Sequence, residues 1–438
     1  MVVGAGVAGL SAAKRMVAAG LDVTVVEARD RIGGRIWTVH EPDVSVPIEL
    51  GAEFVHGGAP PVERIARDSA LGIVDIAGER RTSVRGRLRD RDDFWPRIER
   101  VLGQLKEHGT FDRSFADALG DMRSLDRTDR RVALQYIAGF EAADPAIISE
   151  RSLAAARAGA HDDADAERTG RVLGGYDGIV RALAASVAPH IQLDRVVTNV
   201  RWRSGEVMVH TESSAGGARS ELCARAVVIT VPLGVLLTPP GAKGHIAFDP
   251  PLAAKDRLMQ TLAMGAAIRV ALVLDEPFWL TRQFAKRHGS AQFGSMAFLL
   301  APSGAPFPAW WTPYPIRAPL LIAWCGGPNA WALSREPRDA VINTAVGSMA
   351  TLFGMTSRVA ARHIRSAFTH DWSNDPYSRG AYSYARVGGA TAVPALARPI
   401  SNTIYIAGEH AYGHGRNGTV DGAIASGERA AELLLRSR

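Results

Sequence analysis

An α/β fold carrying a Rossmann-like dinucleotide-binding unit is what this sequence predicts, on three observations. A glycine-rich turn, VVGAGVAGL at residues 2–10, separates an apolar pair from a helix-forming run. A β-rich run, LDVTVVE at residues 21–27, ends on an acid eighteen residues after Gly9. Near the other end a second buried β-run, NTIYIA at residues 402–407, leads straight into Gly408 and Glu409.

Each element has a reason. Val2 and Val3 read as the end of a parallel strand, residues 10–19 (LSAAKRMVAA) as a helix and Gly20 as its stop. Two residues between Met1 and Gly4 are few for a central strand of about five or six, so that strand is either shortened or begins upstream. In G-x-G-x-x-G, Gly4 makes the tight turn, Gly6 lets backbone approach a pyrophosphate and Gly9 lets helix pack on strand. The phosphate rests at the positive helix end and Glu27 accepts from a ribose hydroxyl. ARDRIGGR at residues 28–35 brings a second basic loop to the same phosphates. There Ala28 and Arg29 lead in, Gly33 and Gly34 allow close approach, and Arg35 offers a charge-assisted contact.

Further along, residues 97–105 and 130–136 read as helices and residues 161–171 as a polar link. Residues 206–212 and 219–229 form a hairpin joined by SSAGG. Strand 268–274, proline-rich turns at 305–319 and a helix at Arg338–Phe353 follow. Gly408 and Glu409 stand at the end of their β-run, where an open α/β sheet binds its ligand, and Glu409 can accept a ribityl hydroxyl. A helix starts at Thr419 with free N-terminal amides, and 433–435 read as core. The cofactor domain is therefore expected from residues 1–72, 172–238 and 400–438, and an inserted α+β substrate-binding domain from 73–171 and 239–399.

Composition narrows the function. With 438 residues, 47% hydrophobic and 22% charged, the chain can bury a large core. The formal charge of +6 is spread over arginines mixed with acids, as in RGRLRDRDD at residues 85–93, which argues for a solvated face and against a nucleic-acid partner. Cys223 and Cys325 are distant, which excludes a disulfide scaffold and a cysteine metal site. The apolar stretch 226–237, broken by Thr230 and Pro232, is too short to span a bilayer. No charged leader precedes the first motif, so a cytoplasmic protein is expected. His410 and His414 are four apart, but glycines flank His414 and a third ligand is lacking, so no metal is expected. Neither a G-x-S-x-G elbow nor a P-loop occurs.

VVEARDRIGGR resembles the flavin-binding signature of the flavin-dependent amine oxidase family, which includes monoamine, polyamine and L-amino-acid oxidases and the lysine-specific histone demethylases. The likeness recurs in order along nearly the whole chain. GAEFVHG at residues 51–57 looks like the segment passing the flavin ring, which implies cofactor roles for Gly51, Ala52, Glu53 and Phe54. GGYDG at 174–178, before an apolar helix at 179–187, resembles the return to the nucleotide domain; VVTNV at 196–200 resembles the strand at the adenine end, with Val197 in contact. AVVITVP at 226–232 resembles the strand leading out again, and Phe278-Trp279 the close of a substrate-domain strand. DWSNDPYSRGAY at 371–382, AGEHA at 407–411 and NGTVDGAIASG at 417–427 resemble the C-terminal flavin segments. They add Trp372 on the ring edge, Gly408, Glu409, Gly418, Thr419, Val420 and Ala423.

The resemblance implies FAD as cofactor and oxidation of an amine: hydride passes from the carbon next to nitrogen to flavin N5, water hydrolyses the imine, and oxygen is reduced to hydrogen peroxide. An apolar, aromatic cavity favours the neutral amine. Tyr382 holds one place of the family's aromatic pair and Thr419 the other. Ala381 precedes Tyr382 and no cysteine is near, so non-covalent FAD is expected. His56 falls at the cavity mouth, where it orients or deprotonates an amine or serves only structurally. Arg269 takes the place of the lysine that holds a water near N5, and arginine is not its equivalent. It holds that water, binds a substrate carboxylate, or slows the reaction with oxygen. Glu53 and Phe54 stand where amino-acid oxidases of the family bear an arginine, which favours a plain amine, and GAEFVHG makes it polyamine-like; a monomer or homodimer is expected. The alternatives are a flavin desaturase or dehydrogenase on a non-amine substrate with another acceptor, and a flavoprotein scaffold without turnover.

Overall fold

The computed structural model describes the chain apart from residues 91–92, 109–110, 162–164, 166–167, 290–292, 303, 414 and 438. Five short strands form a fully parallel sheet in the order Ile191–Gln192, Val25–Val26, Val2–Val3, Val227–Ile229, Ile404–Ile406. The pair Val2 and Val3 is the central strand, flanked by Val25 and Val228 in register. Four of them are buried, as valine- and isoleucine-rich runs covered on both faces should be, while the edge strand Ile191–Gln192 is half-buried.

Helix Val7–Ala18 begins three residues earlier than its composition suggests, because the turn ends at Gly6, which is its N-cap. A Cβ on Gly9 would stand 1.9 Å from the Gly4 carbonyl oxygen, so helix and turn can touch only through glycine. The C-terminal helix Val420–Arg436 packs beside it by the same device: a Cβ on Gly427 would meet the Ala8 carbonyl oxygen at 2.0 Å.

The second layer is a seven-stranded sheet ordered Ile364–Phe368, Ala267–Leu274, Leu320–Gly326, Ala309–Trp311, Met296–Leu300, Glu79–Val84, Arg87–Asp90, with its own aromatic-rich core. A three-stranded sheet of Phe54–His56, Thr169–Val172 and Ile73–Asp75 stands beside the chamber described below. Among the described residues no helix is long and apolar enough to cross a membrane.

Several sequence expectations shift. Residues 21–27 pair only at Val25–Val26, since the central strand offers two residues to pair with. The hairpin's second arm divides: Arg219–Ala224 stays with Glu206–Ser213, while Val227–Ile229 leaves for the parallel sheet. Phe278 and Trp279 lie in a 3-10 turn after Pro277 rather than in a strand. The expected polar link ends in a strand, Thr169–Val172, in which Arg171 is buried, and its residues 162–164 and 166–167 lie outside the described ones. The proline-rich run contains the strand Ala309–Trp311. The helices expected near 97–105 and 130–136 are Phe94–Leu102 and Arg127–Gly139, with Phe115–Asp121 and Glu150–His161 besides, that expected at 179–187 is Asp177–Ala184, and Arg338–Phe353 stands as expected.

Candidate active site

One cavity of about 1500 Å³ runs from the parallel sheet to the seven-stranded sheet. That exceeds the roughly 300–1,000 Å³ of a pocket for one small molecule. Its nucleotide end is lined by Gly4, Gly6, Glu27, Ala28, Arg29, Gly33, Gly34 and Val197. Gly4 has φ +105°, and Thr230 Oγ1 would lie 2.7 Å from any Cβ there. Gly6 bridges Gly33, so two turns meet backbone to backbone at a helix N-terminus, which is the cradle a pyrophosphate needs. Glu27 is buried; its Oε2 accepts from the Ala5 amide at 2.7 Å and its Oε1 from the Arg29 amide at 3.0 Å. Arg29 is held by Asp375 at 2.8 Å and Ser378 at 2.9 Å. Gly9 lines no part of the cavity, its place being against Gly4.

The middle is lined by Arg35, Gly51, Ala52, Trp372, Gly408, Glu409, Gly418, Thr419, Val420 and Ala423. Arg35, expected at the phosphates, donates to Glu409 Oε1 at 2.9 Å and to the Ala381 carbonyl at 2.6 Å. Glu409 also accepts from Ser383 Oγ at 2.7 Å and the Gly418 amide at 3.1 Å. Burial would raise this carboxyl, but Arg35 and these donors outweigh it and hold it below its usual range. Thr419 caps the C-terminal helix, accepting from the Gly422 amide at 2.9 Å and donating to the Arg416 carbonyl at 2.7 Å. Trp372 Nε1 donates to the Leu50 carbonyl at 2.8 Å.

The far end is an aromatic chamber. Tyr382 donates its hydroxyl to the Phe140 carbonyl at 2.6 Å, the Tyr136 and Phe140 rings stack at 5.1 Å, and His56 meets Phe140 edge-on at 5.3 Å. The His56 ring is open to the cavity yet walled by protein, and burial pushes its imidazole down to about 4, so it stands neutral. Burial pushes the Glu141 carboxyl up to about 7; it faces the cavity with no hydrogen bond or ion pair to any described residue. Arg269 is fully committed at its tips, Nη1 to the Gly51 carbonyl at 3.0 Å and Nη2 to Glu53, and burial lowers it to about 10, still charged at neutral pH. Glu53 also accepts from Arg171 Nη2 at 2.6 Å and Trp311 Nε1 at 2.9 Å.

The sequence pattern missed Glu141, Arg171 and Trp311. Trp311 sat in a run read as turns and Arg171 in one read as a link; Glu141 had a faint signal, an acid directly after the aromatic end of a helix. His410 is buried with both ring nitrogens unpartnered among the described residues, and His414 lies outside them. No three metal-binding side chains cluster among the described residues.

A glycine-walled turn over a parallel sheet, joined by one cavity to an aromatic chamber, is the layout of an α/β flavoprotein. The chain belongs to the flavin-containing amine oxidoreductase family, whose model matches residues 7–435. Polyamine oxidase 1 of Oryza sativa subsp. japonica is 29% identical over 507 residues, covering 99% of this chain and 96% of that protein. Lysine-specific histone demethylase 1 homolog 3 of Arabidopsis thaliana is 28% identical over 99% of this chain, which spans only 30% of the relative's length. The chain spans about half of other demethylases it matches, such as 52% of homolog 1 of Oryza sativa subsp. japonica. Wild-type putrescine oxidase bound to putrescine superposes with a TM-score of 0.78 at 22% identity, over 99% of this chain and 98% of that one, a likeness of fold.

Proposed function

We propose that this chain oxidises a small, polyamine-like amine with non-covalently held FAD and oxygen as acceptor, forming hydrogen peroxide. The observation that carries the reading is the continuity of one cavity from the Gly4 turn and Glu27 to Glu409 and Tyr382. The donor set fits the cofactor: glycine backbone and a helix N-terminus for the pyrophosphate, Glu27 for a ribose, Val197 for the adenine and Glu409 for the ribityl chain. Segments 1–72, 172–238 and 400–438 would make its domain, and 73–171 and 239–399 that of the substrate. Neither Cys223 nor Cys325 lines the cavity, which supports dissociable binding.

When bound, the flavin supplies the acceptor for a hydride from the carbon beside the amine nitrogen. The chain's part is to bind, desolvate and deprotonate. Tyr382, Phe54 and Trp311 wall the amine from water. A Glu141 carboxylate oxygen takes the ammonium proton, and neutral His56 orients the nitrogen. Val420, in the first turn of the C-terminal helix, would help hold the flavin there through the helix's positive end. Arg269, held by Glu53 and Gly51, lines the same cavity. In keeping with the absence of an unmixed basic run, the reading is of a cytoplasmic monomer or homodimer without nucleic acid.

The test is direct. Purified protein should be yellow, should release FAD on denaturation, and should give peroxide from members of a panel of monoamines, diamines, polyamines and amino acids. A colourless protein overturns the reading. Flavin that amines reduce anaerobically but oxygen does not reoxidise favours the dehydrogenase instead, for which Arg269 is the motive; Arg269→Lys should then raise reoxidation about tenfold.

A further inference from the structure

Helix Arg127–Gly139 runs out against the end of strand Leu320–Gly326, and Glu141 follows just past its last turn. The approach is close because Gly326 has no side chain: a Cβ there would lie 2.4 Å from the Ala138 carbonyl oxygen. Two donors from separate segments take the next two carbonyls. Trp324 Nε1 donates to that of Gly139 at 2.8 Å, and the Tyr382 hydroxyl to that of Phe140 at 2.6 Å. Ala142 then turns through the left-handed region, with φ +50°, and the Ala143 amide returns to the Ile137 carbonyl at 3.2 Å. Glu141 is thus carried on a turn held at both preceding carbonyls, and it lines the chamber.

A helix ends in carbonyls without partners, and their negative pole disfavours a carboxylate beside it. Burial already pushes Glu141 up to about 7. A donor on the Gly139 carbonyl offsets part of the pole. The ionisable groups around the carboxyl supply no such relief. Tyr136 on the same helix and Tyr382 across from it are raised by burial and neutral, and His56, lowered by burial, is neutral too. Arg269, the partner of Trp324 in register, holds Gly51 and Glu53, and Glu99 holds Arg157. Arg131 lines the cavity from near the start of the helix, away from its negative end.

We propose that Trp324 is a positioning residue for Glu141: its indole N–H, bound to the Gly139 carbonyl, fixes the helix end that carries the carboxyl and cancels part of that end's negative field. Trp324 lines the cavity as well, but its service to the reaction passes through Glu141. The inference rests on the amine-oxidising reading, in which Glu141 takes the ammonium proton, and adds what keeps that carboxyl placed and able to ionise.

The protonated carboxyl has its own infrared band, identified in the holoprotein by its loss in Glu141→Gln, and the band disappears as pH rises through the titration. Trp324→Phe keeps a ring and removes the donor. Its midpoint should move upward by roughly half a pH unit, and the inflection in kcat/KM with it. A side chain that merely filled space would, on being trimmed, admit water to the carboxyl and move the midpoint down. A midpoint that stays or falls therefore overturns the proposal. Should Trp324→Phe fail to fold, the wild type still decides: one of its nine indole N–H signals should shift with the Glu141 titration and stand still in Glu141→Gln. Nine unmoved indoles overturn the proposal equally. The infrared and indole readouts follow a carboxyl proton and not turnover, so a protein that yields no peroxide from any amine would fail the oxidase reading while these titrations still judge Trp324.

Discussion

At the nucleotide end the cavity is walled by main chain, whereas at the amine end it is walled by rings and charged side chains. The first wall has its shape because Gly4, Gly9 and Gly427 have no Cβ to keep segments apart. The second has its shape because Glu53 holds Arg171, Arg269 and Trp311 at once, and because Tyr382 is tied to the Phe140 carbonyl. A backbone wall recognises what every dinucleotide shares. A side-chain wall can be rebuilt residue by residue, and on the proposed reading specificity would reside there.

Substitutions can break this contrast. The largest effect belongs to Gly9→Ala, whose methyl would sit inside the Gly4 carbonyl; FAD content per protein should fall more than about tenfold, or the soluble fold should be lost. Retention of full flavin would show that the turn has room to spare. Next comes Glu53→Ala, which strands two buried guanidinium groups and should cost about 3–5 kcal/mol in denaturant unfolding, a loss that Glu53→Gln should only partly avoid.

Glu141→Gln sharpens the contrast through pH. Below about 7 the group is protonated and takes no proton, and above it the carboxylate forms, so kcat/KM should rise with pH through this range. The variant should lose that inflection and about 10²-fold at the plateau. An unchanged profile would assign the proton transfer elsewhere. Tyr382→Phe is the mildest: it forfeits one hydrogen bond to Phe140, about 1 kcal/mol, seen as a rise in amine KM of roughly fivefold with flavin content unaltered.

How much was legible follows the same division. The glycine turn, Glu27, the second basic loop and the C-terminal β-run with Glu409 carry their reasons locally, within ten or so residues each. Helix Arg338–Phe353 was equally plain from its composition. Arg171 and Trp311 were not, because what places them beside the chamber is Glu53, more than a hundred residues away in the chain. Nor does pattern foretell that 219–229 divides between two sheets, since both halves are good β-formers and only partner strands from the two ends of the chain separate them. Arg269 was legible as a departure; that its two terminal nitrogens bind Gly51 and Glu53 was not.

The central strand, Val2–Val3, pairs on one side with nearby Val25–Val26, but its other neighbour comes only at residues 227–229, and that strand in turn finds its own at residue 404. Contacts of such separation form late in folding, after the intervening polypeptide has closed its loops. A nascent chain therefore exposes half of this sheet for most of its synthesis, and on the proposed reading a bound flavin would join the halves and act as a folding clamp. Flavin-starved cells should accumulate less of this protein, through proteolysis rather than reduced expression.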